Sequence, residues 1–158
     1  MKLFFLFLST LTLLFSQNYK EIITETKLYQ HSDWISLLHF KDGKSEIDDP
    51  LFFLSEDGKT NPKAELFATV DTMLTDSTDD DNSTICIYPA RHKFLQENLP
   101  EIAKNFPQKR CEKLNEFLKE IDPQSITLSF PTAHINSPAS MFGHTLLRVN
   151  SDINSSLV

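Results

Sequence analysis

Cys111-Glu112-Lys113-Leu114-Asn115-Glu116-Phe117-Leu118-Lys119-Glu120-Ile121-Asp122-Pro123-Gln124-Ser125-Ile126-Thr127-Leu128-Ser129-Phe130 contains the change of rhythm on which the fold turns. Up to Ile121 the apolar residues Cys111, Leu114, Phe117, Leu118 and Ile121 recur at helical spacing. Lys109, Glu112, Lys113, Glu116, Lys119 and Glu120 take the rest of the circumference, which predicts a half-buried helix ending at Asp122-Pro123. From Ser125 apolar and polar residues alternate singly, as in a strand. The alternation returns in His144-Thr145-Leu146-Leu147-Arg148-Val149, with Leu146 on the polar side. Helices before Pro123 and strands after it predict an α+β fold: a helical module over residues 17–122, then the first strands of a second domain over residues 123–158.

Upstream of this switch the pattern is helical with interruptions. Tyr19, Ile22, Ile23 and Tyr29 are helically spaced, and Ser32-Asp33 offers a cap for a second short helix through His39. Lys41 to Pro50 reads as a loop, and Leu51-Phe52-Phe53-Leu54-Ser55 as a buried strand or an irregular core plug. Asn61-Pro62 starts a helix that carries Leu66, Val70, Met73 and Leu74 and runs to about Thr75. The β-branched run Thr84-Ile85-Cys86-Ile87-Tyr88 reads as a strand, and Pro89 opens a further helix.

Met1-Lys2, the apolar run Leu3 to Phe15 and the polar return at Ser16-Gln17-Asn18 form the pattern of a secretory signal over residues 1–16. The apolar run is about 13 residues, shorter than the roughly 20 a membrane-spanning helix needs, although an uncleaved anchor is the competing reading. Export favours a disulfide, so Cys86 and Cys111 are expected to pair as a staple contributing roughly 3 kcal/mol. The alternative, a catalytic thiolate at one of them, requires a setting that lowers its pKa. Net charge is −7, with 15 Lys and Arg against 22 Asp and Glu, which argues against nucleic acid as a partner. Glycine occurs only at Gly43, Gly58 and Gly143, so no phosphate-cradling loop can be written and no nucleotide cofactor is expected.

Five histidines are present, and no pair has metalloprotease spacing. His31, His39, His92 and His134 read as surface or rim residues. His144 differs because it follows Gly143 at a junction between loop and strand, where a side chain is held by a sheet while reaching a cleft. Alternation places Arg148 on the same face, and a neighbouring guanidinium keeps an imidazole neutral, as a general base requires. A packed structural histidine is the plainer alternative. Ser140 is a conceivable nucleophile but lacks the Gly-x-Ser-x-Gly elbow. The acidic stretch from Asp76 to Ser83 lacks the ligand spacing of a calcium loop, so no metal is expected there. Asn82-Ser83-Thr84 and Asn154-Ser155-Ser156 match the glycosylation sequon, each with an Asp two residues upstream, the bacterial preference.

The string Asn136-Ser137-Pro138-Ala139-Ser140-Met141-Phe142-Gly143-His144-Thr145-Leu146-Leu147-Arg148 resembles the signature of the Lnb N-terminal periplasmic domain family, named for a bacterial lipoprotein N-acyltransferase. Upstream pieces agree in order: Trp34 to Phe40, Phe52 to Ser55 with Gly58, Glu65-Leu66, Cys86 to Arg91, and Cys111. The resemblance implies a periplasmic protein whose second domain is permuted and papain-like, with His144 as general base, Arg148 in support, and a nucleophilic Cys in an Asn-Cys motif beyond Val158. It also implies that Cys86 and Cys111 occupy paired positions. The substrates implied are a phospholipid acyl donor and the N-terminal amine of a lipoprotein, with membrane proximity supplied by a longer parent protein. On this reading the chain is an N-terminal portion, inactive alone. The alternatives are a non-catalytic periplasmic binding module, whose His144 is only structural, and a gene relic without a stable fold.

Overall fold

The computed structural model describes residues 19–78, 81–130 and 145–152. The proposed signal segment, His134, Ser140 and His144 therefore lie outside the described residues. The chain divides into two compact units, Met1–Arg110 and Cys111–Val158.

In the first unit residues 19–25 form helix α1, followed by a short 3-10 turn, Leu28–Gln30, and α2, Ser32–Leu37. The cap of α2 is His31 rather than the expected Ser32-Asp33: its Nδ1 accepts the Asp33 amide at 3.2 Å. An imidazole nitrogen is as good an acceptor for an orphan first-turn amide as a hydroxyl. The expected loop from Lys41 holds a tight hairpin, β1 (Phe40–Lys41) and β2 (Lys44–Ser45). Its two turn residues, Asp42 and Gly43, have φ of 50° and 86°, the left-handed pair that such a turn demands. Helix α3, Pro62–Thr75, begins as the sequence predicts, with Asn61 accepting the Ala64 amide. The helices α4 (Thr84–Ile87), α5 (Pro89–Asn98) and α6 (Pro100–Ala103) complete the unit.

Two expectations fail here for local reasons. The run around Cys86 is helical, not extended: the Ser83 hydroxyl accepts the Ile85 amide and the Asp76 carboxylate accepts the Thr84 amide. Satisfying these first-turn donors outweighs the weak preference of β-branched residues for strands. Leu51 to Ser55 is irregular rather than a strand, and it is only partly buried. Pro50–Phe52 makes a 3-10 turn capped by Asp49, Leu51 is 82% exposed, and the Leu54 and Ser55 amides are taken by a side chain. The core gathers Tyr19, Ile23, Trp34, Leu38, Leu66, Val70, Met73, Phe94 and Leu95. The indole Nε1 of Trp34 donates to the Pro62 carbonyl at 3.0 Å, tying α2 to the start of α3.

The second unit holds α7, Glu112–Ile121, and an antiparallel pair, β3 (Pro123–Ser129) and β4 (Leu146–Ser151). Cys111 is the residue before α7, with φ of 48°, rather than part of its apolar stripe. The helix is not half-buried as its pattern predicts, since none of its residues is buried. Among the described residues of this unit, one helix and a two-stranded ribbon are too few layers to enclose a core. Both cysteines of the chain, Cys86 and Cys111, are disulfide-bonded. The architecture is α+β with one disulfide.

Candidate functional site

Arg148 lies in β4, directly opposite Thr127 of β3, and its side chain is exposed. The register pairs Ile126 with Val149 and Leu128 with Leu147, so these four share one face. Arg148 shares the other with Leu146, Ser125, Thr127 and Asn150. The Asn150 amide donates to the hydroxyls of Ser125 (2.9 Å) and Thr127 (2.8 Å), bracing that polar face. The four residues of the apolar face are between 45% and 67% exposed. The division of β4 into Leu146 and Arg148 against Leu147 and Val149 is the one its alternation predicts. His144, the residue that this face was expected to carry next to Arg148, is outside the described residues.

A dense polar arrangement among the described residues lies in the first unit, at residues that no motif in the sequence marks as a site. Glu65 sits on the buried stripe of α3 with Leu66, Thr69, Val70 and Met73. Its carboxylate is fully buried and accepts the Leu54 amide at 2.9 and 3.0 Å, the Ser55 amide at 2.9 Å and Arg91 Nη1 at 2.5 Å. The second guanidinium nitrogen of Arg91 donates to the Phe52 carbonyl at 2.9 Å. The Arg91 guanidinium lies 4.4 Å from the Tyr88 ring centroid and 4.7 Å from that of Phe52. Gly58 closes the arrangement: a Cβ there would overlap Glu65 Oε2 and sit 2.9 Å from Phe53 Cβ. With its hydrogen bonds filled and no path to solvent, Glu65 is a clasp for the segment from Phe52 to Gly58 rather than a catalytic acid. The signal that would have found it is an acidic residue standing on an otherwise apolar helical stripe.

A second anchor closes the acidic loop. The Asp76 carboxylate accepts the Thr78 amide (3.0 Å), the Ser83 hydroxyl (2.8 Å) and the Thr84 amide (2.7 Å). Lys109 Nζ donates to the Asp76 carbonyl at 3.0 Å and also to the Thr78 carbonyl. Burial works against the Asp76 anion, yet these donors and the Lys109 charge hold its pKa below the usual carboxylate value. Burial beside Phe106 holds the His92 imidazole below its ordinary value. A surface groove of about 440 Å³ between α2 and α5 is lined by Asp33, Leu37, His39, Lys93, Phe94 and Glu97. Among the described residues no group of three or more His, Cys, Asp or Glu side chains converges as metal ligands would. None of the described helices is long and apolar enough to cross a membrane.

A helical unit locked by a buried acid–arginine pair, joined to a helix and an amphipathic β-ribbon, defines a two-part α+β protein. Residues 113–157 match the Lnb N-terminal periplasmic domain, the family whose signature the sequence resembles, and residues 26–98 match a domain of unknown function, DUF7843. Trp34, Phe52, Gly58, Glu65, Tyr88 and Arg91, which carry the upstream part of the resemblance, all fall in the second of these ranges and meet around the Glu65 clasp. No curated protein and no solved structure matches the chain.

Proposed function

We propose that this chain is the N-terminal part of an exported, periplasmic thiol acyltransferase-like protein that moves a fatty acyl group from a phospholipid to the N-terminal amine of a lipoprotein. The observation that carries the reading is the match of the Lnb N-terminal periplasmic domain to the segment that contains His144 and β4. Neither cysteine of the chain is a free thiol, so the nucleophile belongs to the longer protein, in the Asn-Cys motif that the resemblance implies. The second domain is then permuted and papain-like, with histidine preceding cysteine in sequence.

In the first half-reaction the thiol proton passes to His144 and the thiolate attacks the ester carbonyl of the phospholipid. The ester C–O bond breaks, a lysophospholipid leaves with the proton, and a thioester remains. In the second, the amine of a diacylglyceryl-cysteine attacks that thioester, an amide forms, and the thiol is regenerated. Arg148, on the polar face of β4, orients the donor phosphate or supports His144. The test is a thioester trap. Membranes bearing the full-length protein, given a phospholipid with an alkyne-tagged acyl chain, are expected to yield hydroxylamine-sensitive label on the wild type and at least tenfold less on His144→Ala. Undiminished label in that variant contradicts the role of His144.

The competing reading is a periplasmic binding module whose partner is held by the groove between α2 and α5, where an apolar wall of Leu37 and Phe94 meets His39 and the charges of Asp33, Lys93 and Glu97. Absence of any thioester on the wild type, together with saturable ligand capture lost in His39→Ala, favours it.

A further inference from the structure

We propose that Asp42-Gly43 is a self-modifying site, at which Asp42 converts through a cyclic imide to isoaspartate. The inference is independent of acyl transfer and of export. The chain holds two Asp-Gly pairs, Asp42-Gly43 and Asp57-Gly58, and the fold treats them oppositely. Asp42 and Gly43 are the two loop residues of the β1–β2 hairpin, beyond the pair Lys41↔Lys44, and both are exposed. Among the described residues nothing hydrogen-bonds the Asp42 carboxylate or the Gly43 amide, and nothing lies within 4 Å of where a Gly43 Cβ would stand. Glycine leaves that amide nitrogen unhindered, and attack on the neighbouring carboxyl closes a five-membered ring. The turn holds Asp42 weakly: its φ of 50° is one that an L-residue occupies at a cost, and each strand of the hairpin is two residues long. Asp57-Gly58 is the control within the same chain. Gly58 is buried and its amide donates to the Ser55 carbonyl at 3.0 Å, while the Asp57 carbonyl accepts the Thr60 and Asn61 amides at 2.9 Å each. There the nitrogen is engaged and the backbone is not free to turn it onto the carboxyl.

The Gly43 nitrogen attacks Cγ of the protonated Asp42 carboxyl, the N–Cγ bond forms, the amide proton and the carboxyl hydroxyl leave as water, and a succinimide remains. Water then opens the ring. Addition at Cγ restores aspartate, and addition at the main-chain carbonyl leaves the chain running through Cγ, as isoaspartate. The sum is an isomerisation that needs no reactant besides water. The product adds a main-chain atom to a two-residue loop, which works against the Lys41↔Lys44 register and against the seat of Ser45. Ser45 is buried, and its Oγ and amide donate to the Leu38 and Lys59 carbonyls. The test keeps the purified full chain for several weeks at neutral pH, folded and in guanidinium chloride. Both pairs are read by peptide fragmentation that separates isoaspartate from aspartate and by labelling with an L-isoaspartyl methyltransferase. In the folded chain isoaspartate is expected to accumulate roughly tenfold faster at residue 42 than at residue 57, and in denaturant at comparable rates. Asp42→Glu, which cannot close the five-membered ring, is expected to stay unmodified, and Asp42→Asn, whose imide forms with loss of ammonia, to convert faster still. A folded chain whose residue 42 is still aspartate when the denatured sample has converted overturns the site, as do equal rates at residues 42 and 57 in the folded chain.

Discussion

Removing the Arg91 guanidinium leaves Glu65 as a buried anion whose strongest partner is gone. Arg91→Ala is therefore expected to destabilise the first unit by about 3–5 kcal/mol in urea unfolding followed by tryptophan fluorescence, since Trp34 lies against the guanidinium. Replacing the pair with two leucines is not expected to restore stability. The Leu54 and Ser55 amides would lose the acceptor they share, which distinguishes this clasp from a simple ion pair. Gly58→Ala, which drives a methyl against Glu65 and Phe53, is expected to cost about 1–3 kcal/mol in the same assay. Two titrations separate by pH. His92 has its folded pKa below the ordinary 6.5, so the unfolded chain binds its proton more tightly. Its contribution is complete above that value and is lost as the pH falls below it, and His92→Gln removes this slope from a plot of melting temperature against pH. Asp76 acts lower: its stabilisation is complete above 3.8 and is lost only as the pH falls further, through the depressed folded pKa.

At the scale of elements, capping and periodicity were legible and tertiary demands were not. Asn61-Pro62 marked α3 because its signal is local, a side-chain acceptor followed by a residue without an N–H. The strand alternation after Pro123 is legible because Ile126, Leu128, Leu147 and Val149 fall on one face of β3 and β4. The β-branched neighbours of Cys86 favour a strand, while part of what winds them into α4 comes from Asp76, well upstream in the acidic loop. Glu65 alone has a local signal, an acidic residue on the buried stripe of α3, whereas its pairing with Arg91, 26 positions on, has none. Of the candidate site, the face of β4 that carries Arg148 was legible from alternation alone. The disulfide follows from the two cysteines and their expected compartment. Reduction of the folded chain with dithiothreitol is expected to lower stability by roughly 3 kcal/mol, read as a shift of the urea midpoint, and Cys86→Ser should reproduce it.

At the scale of the molecule, the two units differ in how much core each owns. The first buries Trp34, Leu66, Met73 and Leu95 and closes its irregular segments on Glu65 and Asp76. The second, among its described residues, leaves Ile126, Leu128, Leu147 and Val149 uncovered on one face of a two-stranded ribbon. A ribbon of this kind is marginal by itself and gains stability from further layers against its apolar face. On the proposed reading those layers belong to the acyltransferase domain, and the polar face of the ribbon, which carries Arg148, belongs to its chemistry. The measurement that tests this most directly is the intact mass of a lipoprotein from cells whose own N-acyltransferase has been deleted, supplied with the full reading frame that encodes this chain. The account predicts a lipoprotein one acyl chain heavier with the wild-type frame and unshifted with His144→Ala at equal periplasmic abundance. A lipoprotein that stays unshifted with the wild type, or gains the acyl chain in both, contradicts it.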